Sequence, residues 1–232
     1  MSQLRTRRPH RSGVVIVGGG LAGQRCAETL RRNGYDAPIR MVCAEPHRPY
    51  DRPPLSKQLL AGATSADPPA YRSAEWYRRE SIDLLLRVAA TELLPDVRRI
   101  VLSDGAALHY ERLLIATGSR ARELSLLAGY ENVWSLRTLE DCRALRRVVG
   151  VGRRLVVVGG GFIGLEVAAT TRGLGTEVTI IEAAATPLAG VLGPELGRWF
   201  TRLHEARGVR VMTDRAIERA DGNGTIRALR LS

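Results

Sequence analysis

One pattern occurs twice in this chain, and it limits the fold more than any other feature. Val14-Val-Ile-Val-Gly-Gly-Gly-Leu-Ala-Gly23 is matched by Leu155-Val-Val-Val-Gly-Gly-Gly-Phe-Ile-Gly164, an offset of 141 residues. The match continues past the glycines, with Ala27 answering Ala168 and Gly34 answering Gly175. Each copy has four apolar residues, a glycine cluster, a helical stretch, a second apolar strand and then an acid, Glu45 in the first and Glu182 in the second. The period is far too long for a solenoid. It predicts an α/β fold with two Rossmann-like dinucleotide-binding units.

The physics of each copy is specific. The short apolar run fits a parallel strand buried on both faces. Gly18 and Gly159 allow a tight strand-to-helix turn. Gly20 and Gly161 let the backbone approach a pyrophosphate, and Gly23 and Gly164 let the helix lie close on the strand. The helices expected at 21–33 and 162–174 aim free N–H groups at an anion. Glu45 and Glu182 stand where a carboxylate accepts hydrogen bonds from ribose hydroxyls. Ala183, Ala184 and Ala185 follow Glu182, with no arginine among them to receive a 2′-phosphate, which favours NAD over NADP at the second site.

Between and after the repeats, Ile39–Val42 reads as a strand and Pro46–Pro54 as a loop. Short helices are expected at 55–61 and 73–80 and a strand at 83–88. Arg99–Leu102 and Ala107–Tyr110 form a predicted hairpin around Ser-Asp-Gly, and Leu113–Ala116 is a buried strand. Thr138-x-x-Asp141 is a capping box opening an amphipathic stretch to Val149. A helix is expected over 195–207, then strands at 209–213, 216–220 and 225–231, the last two around Asp221-Gly-Asn-Gly224.

Composition narrows the function classes. The chain has 232 residues, 44% of them hydrophobic, so disorder is excluded as its main state. No apolar run is long enough for a membrane span. Residues 1–12 read as a solvated basic tail without the apolar segment of a secretory leader. The net charge of +11 is almost all arginine, Lys57 being the only lysine. The arginines spread along the whole length rather than forming a stripe, and aromatics are 5%, so nucleic acid is not the expected partner. Cys26, Cys43 and Cys142 form no C-x-x-C, and His10, His47, His109 and His204 have no ligand spacing, so neither dithiol chemistry nor a metal is expected. A reducing cytoplasm is the expected compartment.

Two fingerprints, the segment Pro49-Tyr-Asp-Arg-Pro-Pro-Leu-Ser-Lys57, Leu114-Ile-Ala-Thr-Gly118, Leu136-Arg-Thr-Leu-Glu-Asp141 and Gly159-Gly-Gly-Phe-Ile-Gly-Leu-Glu166 together resemble the FAD-dependent ferredoxin and rubredoxin reductases of bacterial oxygenase systems, which have a glutathione-reductase-like fold. The resemblance runs from about residue 13 to the end. It implies that NADH reduces FAD and that the flavin passes electrons singly to a ferredoxin-type iron–sulfur carrier. It implies an FAD-binding domain over 13–118 and an NAD-binding domain over 119–232. FAD would lie on Gly18, Gly20, Ala22 and Gly23, with Glu45 on the adenosine ribose, Val88 at adenine through its backbone, and Thr117 and Gly118 beside it. Arg52, Lys57 and Arg137 would reach the flavin side. NADH would lie on Gly159, Gly161, Ile163, Gly164 and Glu182. Lys57 and Glu166 would pair near the flavin N5.

Disulfide reductases place two cysteines just after the ribose acid, where this chain has Pro-His-Arg-Pro-Tyr. Cys43 precedes the acid and reads as a small buried residue. By the same resemblance the chain stops short of the segments that complete the FAD domain. This makes it read as an N-terminal portion, with oligomerisation expected through incomplete surfaces. A non-catalytic nucleotide-binding fragment of such a reductase is the alternative reading.

Overall fold

The computed structural model describes residues 12–63, 68 and 70–232; the basic tail up to Arg11 lies outside the described residues. In chain order, β1 (Val14–Val17), α1 (Leu21–Arg32) and β2 (Ile39–Cys43) precede a 3-10 turn at Pro53–Ser56 and the short helix α2 (Gln58–Ala61). Next come α3 (Ala74–Arg79), β3 (Ile82–Leu86), β4 (Ala90–Leu94), β5 (Arg99–Leu102), β6 (Ala107–His109) and β7 (Arg112–Ile115). The remainder is α4 (Leu139–Arg146), β8 (Arg154–Val158), α5 (Phe162–Gly173), β9 (Glu177–Ile181), α6 (Ala189–Glu205), β10 (Arg210–Met212), β11 (Ile217–Asn223) and β12 (Thr225–Leu231). Two compact units result. Of the described residues, one unit joins those up to Asp51 with Ala70 to Ser119, the other Arg52 to Ala63 and Pro68 with Arg120–Ser232. The described residues from Arg52 to Ala63, read from sequence as part of the first domain, group with the second unit. Their hydrogen bonds explain this: Thr170 of α5 donates to the Ser56 carbonyl at 2.8 Å, and Arg52 donates to the Arg137 carbonyl at 2.5 Å.

The first unit is built on a parallel sheet in the order β3-β2-β1-β7. Side chains alternate across a strand, so β1 serves two cores. Val14 and Ile16 pack with Ala27 of α1 and Tyr77 of α3 on one face. Val15 and Val17 pack with Ile100 and Leu102 on the other, where β4, β5 and β6 form a small antiparallel sheet. All four β1 residues are buried, which is why an unbroken apolar run suits this position. Arg31 shows how a charged side chain can serve the scaffold. Its guanidinium donates to the carbonyls of Tyr35, Ala37, Glu80 and Ser81, tying the end of α1 to the end of α3.

The second unit has a parallel sheet in the order β10-β9-β8. Its core joins Leu165 and Ala168 of α5, Val178 and Ile180 of β9, and Leu188 and Val209, with Val157 and Phe200 against it. Here the expectation of a strand buried on both faces fails. Val156 and Val158 of β8 remain 45% and 42% exposed. The physical reason is that, among the described residues, no antiparallel sheet covers the outer face of β8 as β4–β6 cover that of β1. The β11–β12 hairpin is held instead by Asn132, whose side chain bonds both the N–H and the C=O of Ile226, and by Tyr130, whose hydroxyl donates to the Ala220 carbonyl.

Several local readings differ from the observed elements. β4 was not anticipated; its middle residues are exposed and it forms one edge of the small sheet. Ahead of the helix expected from Glu195, a further helical turn begins at Ala189, and α6 continues across a kink at Gly193, whose φ of 78° and ψ of 170° are not helical. The last hairpin is longer than expected: Asp221–Asn223 stay in the ladder and Gly224, with φ of 67°, makes the turn. The hairpin of β5 and β6 and the capping box of α4 form as expected. In the box, Thr138 Oγ1 accepts from the Asp141 N–H at 3.2 Å, and Asp141 Oδ2 accepts from the Thr138 N–H at 2.8 Å.

The two nucleotide motifs superpose in their packing. A Cβ added at Gly23 would lie 2.2 Å from the Gly18 carbonyl oxygen and 3.1 Å from Ile16; one added at Gly164 would lie 2.2 Å from the Gly159 oxygen and 3.2 Å from Val157. Both obstacles include backbone, so Gly23→Ala and Gly164→Ala must push helix from strand. Each is expected to lower stability by about 1–3 kcal/mol. Gly173, also helical but with open space around its missing Cβ, is expected to gain about 0.4–1 kcal/mol as alanine. Urea unfolding of the three variants tests both signs.

Candidate functional site

The first candidate site lies where β1 ends. Gly18 has φ of 125°, and a Cβ there would sit 2.0 Å from the Ala116 carbonyl oxygen at the end of β7. The same added Cβ would lie 3.1 Å from the Thr117 backbone nitrogen, so the end of β7 closes on the glycine turn. Gly20 faces open space. It caps α1 with no side-chain bond, and α1 has no acid in its first turn. In the second unit Gly161 does the same for α5, also over open space and also without an acid in the first turn.

The other helices make the contrast plain. α3 has its first turn capped by Ser73 and α4 by Thr138, with Asp141 reciprocating. A helix N-terminus leaves N–H groups unpaired and carries the positive end of the helix dipole. Among the described residues, α6 is also uncapped, but the side chain of its N-cap Leu188 stands over its start; at the two glycine turns the groups are left to an outside acceptor with no Cβ over them. The structure thus fits an anionic phosphate at each turn, near Ala22 in the first and Phe162 and Ile163 in the second, which are exposed.

The two acids are held differently. Glu45 accepts from the Tyr50 hydroxyl at 2.5 Å, and its carbonyl accepts from the Arg87 N–H. The Val88 N–H is engaged by the Cys43 carbonyl at 3.2 Å, which leaves that N–H bonded within the protein. Glu182 accepts from the Gly160 N–H at 2.6 Å through Oε2 and from the Ala184 N–H at 2.7 Å through Oε1. It thereby ties the glycine turn to the loop that follows β9. The same loop rests on α6, where a Cβ at Gly197 would fall 2.5 Å from the Pro187 carbonyl oxygen.

Within the second unit a further cluster forms on α5. Two prolines begin the 3-10 turn at Pro53, where fixed φ and a missing N–H are no loss. The turn delivers Lys57 to Glu166, Nζ to Oε2, at 2.6 Å. The Ser56 hydroxyl donates to the same oxygen at 2.5 Å. Desolvation works to raise the Glu166 carboxyl, but the hydrogen bonds from Lys57 and then Ser56, with the charge of Lys57, outweigh it and hold the group below its ordinary value. Arg52, 85 residues before Arg137 in the chain, donates to its carbonyl, and the Arg137 N–H donates to Asp141 Oδ2.

The structure therefore gathers the predicted residues into two sets. Gly18, Gly20, Ala22, Gly23, Glu45, Val88, Thr117 and Gly118 fall in the first unit. Arg52, Lys57, Arg137, Gly159, Gly161, Ile163, Gly164, Glu166 and Glu182 fall in the second. Sequence reasoning passed over Tyr50, Ser56, Gly160 and Thr170. Tyr50 and Ser56 stand inside the quoted Pro49–Lys57 segment and Gly160 inside the second glycine fingerprint, which were the available signals; Thr170 had none, since its partner, the Ser56 carbonyl, lies 114 residues away in the chain.

The three cysteines are free, and Cys43 is buried against the glycine turn. Burial, and then the charge of Glu45, pushes its thiol up to about 12. Among the described residues no group of three or more His, Cys, Asp or Glu could hold a metal ion, and no helix is long and apolar enough to cross a membrane.

A chain with two strand–glycine–helix turns, each followed by an acid at the end of the next strand, belongs to the class of double dinucleotide-binding α/β proteins. Residues 12–231 match the family described as pyridine nucleotide-disulphide oxidoreductase, and the chain belongs to that family. The ferredoxin–NAD(+) reductase component of the biphenyl dioxygenase system of Paraburkholderia xenovorans is 42% identical over 219 residues, covering 93% of this chain and 53% of that protein. Putidaredoxin reductase of Pseudomonas putida is 42% identical over 204 residues, covering 86% of this chain and 48% of its own length. The chain thus spans about half the length of the curated relatives it matches. Among solved structures, the covalent putidaredoxin reductase–putidaredoxin complex matches with a TM-score of 0.90 at 38% identity, covering 94% of this chain and 54% of that one. The ferredoxin reductase for the CYP199A2 system from Rhodopseudomonas palustris gives 0.89 at 33%, covering 96% and 55%.

The Cys43 thiol yields a test. Its ordinary value is 9.0 and its folded value about 12, so between these the folded chain keeps a proton that the unfolded chain releases. Stability is therefore expected to fall as pH rises through 9 toward 12. Cys43→Ala, which removes that titration, should flatten this part of a urea-midpoint profile. An aromatic disulfide reagent at pH 8 should label Cys43 only as the chain unfolds.

Proposed function

We propose that this chain carries the nucleotide-binding part of an NADH-dependent flavoprotein reductase that delivers electrons to a ferredoxin-type iron–sulfur carrier. The observation that carries the reading is the pair of uncapped, glycine-lined helix N-termini, the second with a lysine–glutamate pair one turn into its helix. The names of the relatives, ferredoxin–NAD(+) reductase components and putidaredoxin reductase, support the same reaction class.

In this reading the first unit binds FAD. The α1 N-terminus and Gly18, Gly20, Ala22 and Gly23 take the pyrophosphate, Glu45 the ribose, and Val88, Thr117 and Gly118 line its path. The second unit binds NADH, with Gly159, Gly161, Ile163 and Gly164 at the pyrophosphate and Glu182 at the ribose. When bound, NADH supplies a hydride, and FAD supplies the means to release the two electrons one at a time.

The protein's own part is orientation and charge. Lys57 and Glu166 hold each other at the reacting end, where a fixed ammonium and carboxylate stabilise charge that changes during transfer. Arg52 and Arg137 add positive charge on the flavin side. Because the Lys57 and Glu166 side chains are 42% and 34% exposed, the pair contributes little to stability, and its value lies in geometry. The three free thiols suit a reducing cytoplasm. The exposed valines of β8 support self-association of the chain.

Two measurements follow. Glu182 repels a 2′-phosphate, so NADH should bind at least tenfold more tightly than NADPH. Glu182→Arg should narrow or reverse that ratio in fluorescence titrations. Equal affinity of the unaltered chain for both would refute the ribose role. A net charge of +11 favours an acidic carrier. Exposed charges are screened over roughly 8 Å at physiological ionic strength. Association with an acidic ferredoxin should therefore weaken steeply between low and high salt, and salt-independent binding in calorimetry would count against that partner.

A further inference from the structure

The chemistry of the second unit centres on the Lys57–Glu166 ion pair, and two further side chains, those of Ser56 and Thr170, set its geometry. Ser56 is 5% exposed and sits between Pro53 and α5. Its hydroxyl has one proton and two carboxyl or carbonyl oxygens within reach: Glu166 Oε2 at 2.5 Å and the Pro53 carbonyl at 3.3 Å. The proton goes to the nearer, charged acceptor, because a hydrogen bond to an ion is shorter and stronger. Lys57 Nζ reaches the same Oε2 at 2.6 Å. One carboxylate oxygen therefore takes both donors, and Oε1 accepts no hydrogen bond among the described residues.

The backbone of Ser56 is fixed as well. Thr170 Oγ1 donates to the Ser56 carbonyl at 2.8 Å. Glu166 and Thr170 are four residues apart on α5, so they lie on one face of the helix and grip the same residue twice, at its hydroxyl and at its carbonyl. A lysine side chain alone has four rotatable bonds and would leave the pair loose. The double grip sets where Lys57 starts and where the carboxylate points.

We infer that Ser56 is a positioning residue, with Thr170 as its anchor: it holds Glu166 Oε2 in the orientation in which Lys57 meets it, and leaves Oε1 free for a donor on the bound nucleotide. The carboxylate has little else to orient it. The 3-10 turn and α2 bring no charge to it except that of Lys57, which joins them. β8 and β9, packed on α5, carry Arg154 and Glu177 at their first residues, away from the α5 N-terminus. The other charge of α5 is Arg172 in its last turn. Among the described residues, Lys57 is the charged group in ion-pair contact with Glu166.

The functional consequence rests on the reading of Lys57 and Glu166 as the reacting end of the nucleotide unit; the positioning itself does not. Two readouts separate them. In carbon-13 NMR titrations of the Glu166 carboxyl, Ser56→Ala is expected to raise its pKa toward the ordinary carboxylate value, Ser56→Cys, which keeps volume but donates weakly, to do the same, and Ser56→Thr to leave it unchanged. A merely structural serine would not move this one carboxyl. With FAD bound, Ser56→Ala should slow flavin reduction by NADH about tenfold while the NADH dissociation constant stays within about twofold, since a charge-assisted bond is removed and the pyrophosphate and ribose contacts are not. A Glu166 titration unchanged in both Ser56→Ala and Ser56→Cys overturns the inference. A titration that moves as expected, while Lys57→Met reduces flavin at the unaltered rate, upholds the positioning of Glu166 by Ser56 and overturns the functional reading of the pair.

Discussion

The contact on which the rest depends is a helix lying against the carbonyl of the residue that begins its own turn. At Gly23 over Gly18, and at Gly164 over Gly159, there is no room for a single carbon atom. This closeness brings the start of each helix to the mouth of the turn, leaves its first N–H groups facing open space, and sets the following strand beside the first. The acid at the end of that strand then arrives within reach of the same turn. In the second unit Glu182 closes on the Gly160 N–H directly. Strand order and the open, uncapped mouth of each turn are thus consequences of one tight packing contact, made twice.

The two copies diverge where their sheets meet the rest of the chain. β1 is sandwiched, with helices on one face and a small antiparallel sheet on the other, so all its side chains are buried. β8 has the same apolar sequence, yet alternate valines stay open. An apolar run therefore measures the capacity of a strand to be buried, and the neighbouring layer decides whether that capacity is used. The chain spans about half the length of its relatives, and the open face of β8 is a feature of this portion of the fold.

Charge in this chain has two uses that composition merges. Arg31 spends its guanidinium on four backbone carbonyls, and Arg172 binds those of Thr176 and Arg207, so part of the arginine content is scaffold. The remainder sets the net charge that a partner would feel. The one lysine stands apart from both uses. It is paired with a carboxylate whose other donor is a buried serine, an arrangement that orients charge without tying it to the fold.

Sequence by itself determined the two βαβ turns, their acids, the β5–β6 hairpin and the capping box of α4, because each depends on neighbours within a few residues or on a repeat visible as letters. It also marked Lys57 and Glu166, through the segments that carry them. It did not determine that residues 52–63 group with the second unit, that β8 has an open face, or that Ser56 bonds Glu166 and Thr170 bonds Ser56. Those facts arise from contacts across roughly a hundred residues, such as Ser56 with Glu166 and Thr170, whose partners have no fixed spacing in the chain. A hydroxyl reads the same in sequence whether it caps a turn, faces water or grips a carboxylate, and only the tertiary structure, by bringing α5 against the Pro53–Ser56 turn, decided which.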